Sequence, residues 1–233
     1  MLRPLLAALL LAALPPTAGA ASLSVAPTRV DLVQGDATGI VTLQNNAAEP
    51  VMVQVQTFSW PRSPASADLE ATRDLLAVPP VFELAGNARQ IIRVALRGAL
   101  SGERERAYRL LITEVPRGGG RTTGVRFALR LSLPVFVTPP GAVPEPVWSV
   151  RRTGGQRELV LDNQGTAHIQ VRRIQLRPAG HGGPPVTIDT PAYVLPGQEQ
   201  LWLLRDLPAA TDLQLEAETS IGPLSATVAP PRG

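Results

Sequence analysis

The chain has 233 residues, no cysteine and no lysine, and a formal net charge of only +3. Without cysteine it has neither a disulfide framework nor a thiolate metal site, so its stability must come from apolar cores. Its arginines are interspersed with carboxylates, which argues against the dense cationic surface that nucleic acid requires, whereas arginine suits bidentate capture of a carboxylate.

The chain starts MLRPLLAALLLAALPPTAGAAS: one basic residue, an apolar run from Leu5 to Leu14, Pro15 and Pro16, then Ala18-Gly19-Ala20 in an A-x-A pattern. This predicts a secretory signal peptide over residues 1–20, cleaved near Ala20, and therefore export out of the cytoplasm. The apolar run covers about half of the roughly 20 residues a membrane span needs, and no later stretch is longer, so no membrane insertion is expected.

Nearly every following segment reads as strand. "LSVAPTRVDL" (23–32), "GIVTLQNN" (39–46) and "VMVQVQTFSW" (51–60) are rich in valine and threonine and alternate. "ADLEATRDLLAV" (67–78) is the one helical competitor, ended by Pro79 and Pro80. "ARQIIRVALR" (88–97) sets Ile92, Val94 and Leu96 against Arg89, Arg93 and Arg97, and "AYRLLITEVP" (107–116) follows. The glycine-rich "RGGGRTTG" (117–124) joins two strands and opens no helix, so it is not a phosphate loop, and its glycines predict mobility. "GVRFALRLSLPVFV" (124–137) then alternates Val125, Phe127, Leu129, Leu131 and Leu133 with Arg126, Ala128, Arg130 and Ser132. That alternation is longer than an ordinary strand of about five or six residues. "TPPGAVPEPVW" (138–148) holds four prolines in eleven residues and reads as a stiff boundary between domains spanning 21–138 and 139–233.

The second half repeats the pattern in "RELVLDN" (157–163), "AHIQVRRIQL" (167–176), "AYVLPGQEQLWLL" (192–204) and a hairpin-like "LQLEAETSIGPLSATV" (213–228). A slip of alternation between Val171 and Ile174 predicts a bulge at Arg172 and Arg173. The fold class expected is all-β, with two immunoglobulin-like sandwiches.

Catalytic signals are sparse. His168 and His181 are far apart, no G-x-S-x-G elbow occurs, and Glu103 and Glu105 in "GERERAYR" read as a solvated, self-paired charge run. No enzyme activity, metal or cofactor is expected. Arg29 in "VAPTRVDL" and Arg109 in "YRLLITEVP" each interrupt a packing strand. They are either edge arginines reaching to water or the cationic floor of an interdomain cleft that holds a carboxylate.

In "APTRVDL", "LLAVPPVFELAGNARQIIRV", "ERAYRLLITEVP" and "GVRFALRLSLPVFVTPPG" the chain resembles the periplasmic pilus chaperones, the PapD-like family of the chaperone-usher pathway, and "YRL" and "PVFV" resemble its archaic branch. The second half matches more weakly, in "LDNQGTAHIQV" and "LPGQEQLW". The resemblance implies two sandwiches joined at an angle with a cleft between them. It implies a chaperone that lends the 124–133 strand to an incomplete pilus subunit, with Val125, Phe127, Leu129 and Leu131 filling the subunit's groove, and that delivers the subunit to an outer-membrane usher. It also implies two basic residues on the subunit's C-terminal carboxylate. Arg29 matches the first. The family's second, a lysine, falls on Pro134, so Arg109 is taken in its place, with Arg130 as the outside choice. Self-association of the free chain is left open, and a secreted carbohydrate-binding or other extracellular binding module is the alternative.

Overall fold

The computed structural model describes residues 23–35, 38–61, 69–98, 102–116, 128–180, 184–205, 207 and 211–230. The expected signal peptide, the loop 117–124, His181, Val125 and Phe127 lie outside the described residues. Every regular element described is a strand, in agreement with the all-β expectation.

The first group comprises β1 (Leu23–Ala26), β2 (Val30–Val33), β3 (Thr38–Asn45), β4 (Val51–Ser59), β5 (Glu70–Ala71), β6 (Leu75–Val78), β7 (Val81–Leu84), β8 (Arg89–Leu96), β9 (Arg106–Val115) and β10 (Arg130–Thr138). They form two sheets, one ordered β1-β3-β8-β6 and one ordered β2-β10-β9-β4-β5, with β7 also on β4. Alternate residues of both close on one core containing Val41, Leu43, Ile92 and Val94 from one sheet and Val53, Val55, Leu110, Ile112, Leu133 and Val135 from the other. Arg89 and Arg93 lie exposed on the far side, as the alternation of that segment requires.

Two expectations are corrected here. "LSVAPTRVDL" is not one strand: it breaks at Pro27, so that β1 pairs with β3 in one sheet and β2 with β10 in the other. The helical competitor forms β5 and β6, because four rungs against β8 and the buried Leu75 outweigh local helix preference.

The second group comprises β11 (Pro146–Thr153), β12 (Gln156–Asn163), β13 (Ile169–Pro178), β14 (Val186–Ile188), β15 (Ala192–Val194), β16 (Glu199–Leu204), β17 (Leu213–Thr219) and β18 (Gly222–Val228). Its sheets run β11-β12-β16 and β14-β13-β17-β18, with β15 also on β13. They enclose a separate core built on Leu159, Leu161, Ile174, Leu176, Trp202 and Leu215. The ladder between β13 and β17 shifts register between Val171 and Arg173, the bulge expected there. The β17–β18 hairpin turns through Ser220 and Ile221.

The proline-rich connector does not hang free. The Val143 carbonyl accepts the N–H groups of Thr166 and Ala167, and the Glu145 N–H donates to Asn163 Oδ1. Gly165 is required there, since a Cβ on it would stand 2.4 Å from the Val143 oxygen.

Candidate functional site

β10 carries the site. Leu133, Pro134, Val135, Phe136 and Val137 are all buried, so the two-residue alternation gives way to burial on both faces. Leu133, Val135 and Val137 face the first core. Phe136 points the other way and is covered by the second group of strands: its ring stacks on His168 at 3.6 Å and 12°, and lies 5.5 Å from Tyr193 and 6.2 Å from Trp60.

Polar contacts tie the groups together at the same place. The Glu105 N–H donates to the Thr166 carbonyl, and the Glu105 carboxylate takes His168 Nδ1 at 2.8 and 2.9 Å, the His168 N–H at 3.1 Å and the Thr138 hydroxyl at 2.8 Å. Glu105 is 2% exposed. The expectation of a solvated charge run is therefore overturned for this residue, and His168 is its partner across the junction. Its burial is tolerable because both side-chain oxygens are hydrogen-bonded. Spacing could not reveal the pair, since 63 residues separate the partners.

The two arginines singled out in the sequence come together beside this junction. In the β9–β10 ladder Arg109 lies opposite Pro134, and in the β2–β10 ladder Val30 lies opposite Val135. Arg29, one residue before Val30, therefore stands on the other flank of Pro134, with the two backbones about 10 Å apart. Pro134 occupies the expected lysine position, and a cation from each neighbouring strand brackets it. Arg130 pairs with Thr113, four residues along β10 and about 14 Å away, and does not join them.

The two guanidinium groups have different surroundings. Arg29 is half-buried; burial works against its charge, but Asp31, whose Oδ2 accepts from Nε at 2.8 Å, outweighs this and raises its pKa. Arg109 lies 3.5 Å over the Trp60 ring, and desolvation lowers its pKa. It has no carboxylate partner among the described residues. Among the described residues the pair carries two positive charges against the carboxylate of Asp31, a net attraction for an anion.

β10 is paired unequally. β9 accompanies it from Arg130 to Val137, but β2 joins only at Val135. From Arg130 to Pro134 its other edge has no partner among the described residues. Leu131 in this stretch and Leu129 just before it are partly buried and pack against the first core, while Leu133 beyond them is 3% exposed. Among the described residues, an unpaired backbone edge with half-covered leucines thus ends at the bracketed proline.

Residues 22–142 match the family described as pili and flagellar-assembly chaperone, PapD N-terminal domain. The chain belongs to this family. As a PapD-family chain it has curated relatives in the chaperone protein PmfD of Proteus mirabilis (strain HI4320), 26% identical over 156 residues, and the chaperone protein CssC of Escherichia coli, 25% identical over 132 residues. The match to PmfD covers 64% of this chain and 56% of PmfD, and that to CssC 52% of this chain and 53% of CssC. The chain thus spans little more than half the length of either. Among solved structures it shares its fold with a chain of the CsuC-CsuE chaperone-tip adhesion subunit pre-assembly complex from archaic Csu pili of Acinetobacter baumannii, at a TM-score of 0.69 and 21% identity over 89% of this chain and 98% of that one. The SafA pilin complex with the SafB chaperone of Salmonella enterica gives a TM-score of 0.65 and 19% identity over 88% and 96% of the two chains. These likenesses show the fold, two immunoglobulin-like sandwiches; the PapD family is one of chaperones and not of enzymes.

Proposed function

We propose that this chain is a periplasmic chaperone that holds an incomplete pilus subunit by adding the open edge of β10 to the subunit's sheet, for delivery to an outer-membrane usher. A subunit lacking a strand exposes apolar surface and unpaired backbone groups, and an added strand satisfies both. The observation that carries this reading is the position of the open edge, which runs directly into the arginine pair. In this reading the edge supplies backbone hydrogen bonds, Val125, Phe127, Leu129 and Leu131 supply groove-filling side chains, and Arg29 and Arg109 anchor the subunit's C-terminal carboxylate by charge-assisted hydrogen bonds. The same reading assigns residues 1–20 to an export signal cleaved near Ala20, and residues 21–138 and 139–233 to the two domains.

The test is coproduction, in a bacterial periplasm, with each pilin encoded in the same genome. Wild-type chain is expected to yield soluble one-to-one complexes, and the Arg29→Ala, Arg109→Ala double variant to fold and yield none. Truncating one partner of a desolvated charge pair costs about 2 to 5 kcal/mol of binding. Undiminished complex from the double variant would overturn the carboxylate anchor.

A further inference from the structure

The anchor described above uses residues of the first domain alone, yet a polar side chain of the second stands beside it. β15 sets Tyr193 with its ring edge-on to Trp60, at 6.0 Å and 75°, and within 5.5 Å of Phe136 and 5.8 Å of His168. Trp60 carries the Arg109 guanidinium on its face. Tyr193 and Arg109 are therefore held against the same indole. The phenol also reaches Arg29: against the burial that works to lower its pKa, hydrogen bonding with Tyr193 adds to Asp31 in raising it. Arg29 Nε is already committed to Asp31. A tyrosine hydroxyl both accepts and donates, so an oxygen that takes an N–H from Arg29 keeps its own proton to give to an anion between the two guanidinium groups.

We propose that Tyr193 is the third polar group of the carboxylate site, contributed across the domain junction, and that it donates its hydroxyl proton to the bound carboxylate. This rests on the carboxylate-anchor reading. It makes the site a joint product of both domains: the Glu105–His168 contact and the stack on Phe136 keep Tyr193 beside the arginines, and a chain with the first domain alone would hold the carboxylate less firmly.

The probe is a synthetic peptide copying the C-terminal strand of the pilin that the wild-type chain captures, made as the free acid and as the amide. Tyr193→Phe keeps the ring and removes only the hydroxyl. Its affinity for the free acid should fall about tenfold or more, with the amide unaffected, because a hydrogen bond to a charged group is lost. The ratio of the two affinities is internal to each variant, so a change in folding stability does not obscure it. An unchanged acid-to-amide ratio in Tyr193→Phe, whether both affinities hold or both fall together, would leave Tyr193 a packing residue and overturn the inference. Arg29→Ala, Arg109→Ala separates the two claims: if that variant still prefers the acid, the anchor reading itself fails, whatever Tyr193→Phe shows.

Discussion

At the scale of single residues, burial and partners decide what a polar group does. Asn45 is fully buried and donates Nδ2 to the carbonyls of Glu49, Leu84 and Ala85 while Oδ1 takes the Ala47 N–H. Asn163 holds the equivalent corner of the second domain, with Nδ2 on Ala167 and Val194 and Oδ1 on Gly165 and Glu145. Asn163→Leu is expected to cost about 3 kcal/mol in chemical denaturation, since it orphans several buried backbone groups at once. Tyr108 offers a pH test. Burial, followed by the charge of Asp74, which its hydroxyl meets at 3.3 Å, raises its pKa above the ordinary 10.0. The folded state therefore favours the protonated phenol, a contribution that is complete below about pH 10 and disappears as pH rises through the folded pKa. In a Tyr193→Phe background, tyrosinate absorbance should rise at higher pH in the native chain than in denaturant; coincident curves would refute this.

At the scale of the strand, β10 contains two environments. Val135 is fully buried, while Leu131, and Leu129 just before the strand, only lean against the core. A carboxylate placed at Val135 has no partner to offset its desolvation, and a domain stable by about 5 to 15 kcal/mol should be severely weakened. Leu131→Glu can turn its charge to water past the open edge, so its thermal midpoint should stay within a few degrees of wild type while recovery of pilin complexes is lost. Equal destabilisation by Leu131→Glu and Val135→Glu in thermal melts would make the whole strand core and remove the groove-filling role. The turn from alternation to continuous burial after Leu133 was not readable from the pattern alone, because the surface that covers Phe136 comes from residues 168 and 193.

At the scale of the whole molecule, the two sandwiches meet through a small set of contacts centred on Glu105. Gln198 adds a hydrogen bond to the Pro61 carbonyl, and Phe136 fills the gap between His168 and Trp60. Glu105→Ala removes the acceptor of the two His168 bonds across the junction and of the Thr138 bond within the first sandwich, and leaving a buried donor unpaired costs about 1 to 3 kcal/mol. The expected outcome in calorimetry is that a single transition separates into two, one per domain, as the junction loosens; one undivided transition at the wild-type temperature would assign the coupling elsewhere.

The strands themselves were legible in the residues. Ile92 and Val94 against Arg89 and Arg93, the bulge at Arg172 and Arg173, and the hairpin at Ser220 depend on neighbours one to four positions away, and a period of two is a local property of an extended chain. Arg29 and Arg109 were also visible locally, as charges set into apolar runs. What local pattern could not supply was the relation between distant segments. Where the chain around Pro27 changes sheet, that "ADLEATRDLLAV" pairs as strand, that Glu105 finds His168, and that Arg29 and Arg109 bracket Pro134 all depend on ladders and contacts joining residues tens of positions apart. Only the closed structure decides these, because the energy of a buried charge or a strand rung is set by whatever the rest of the chain brings against it.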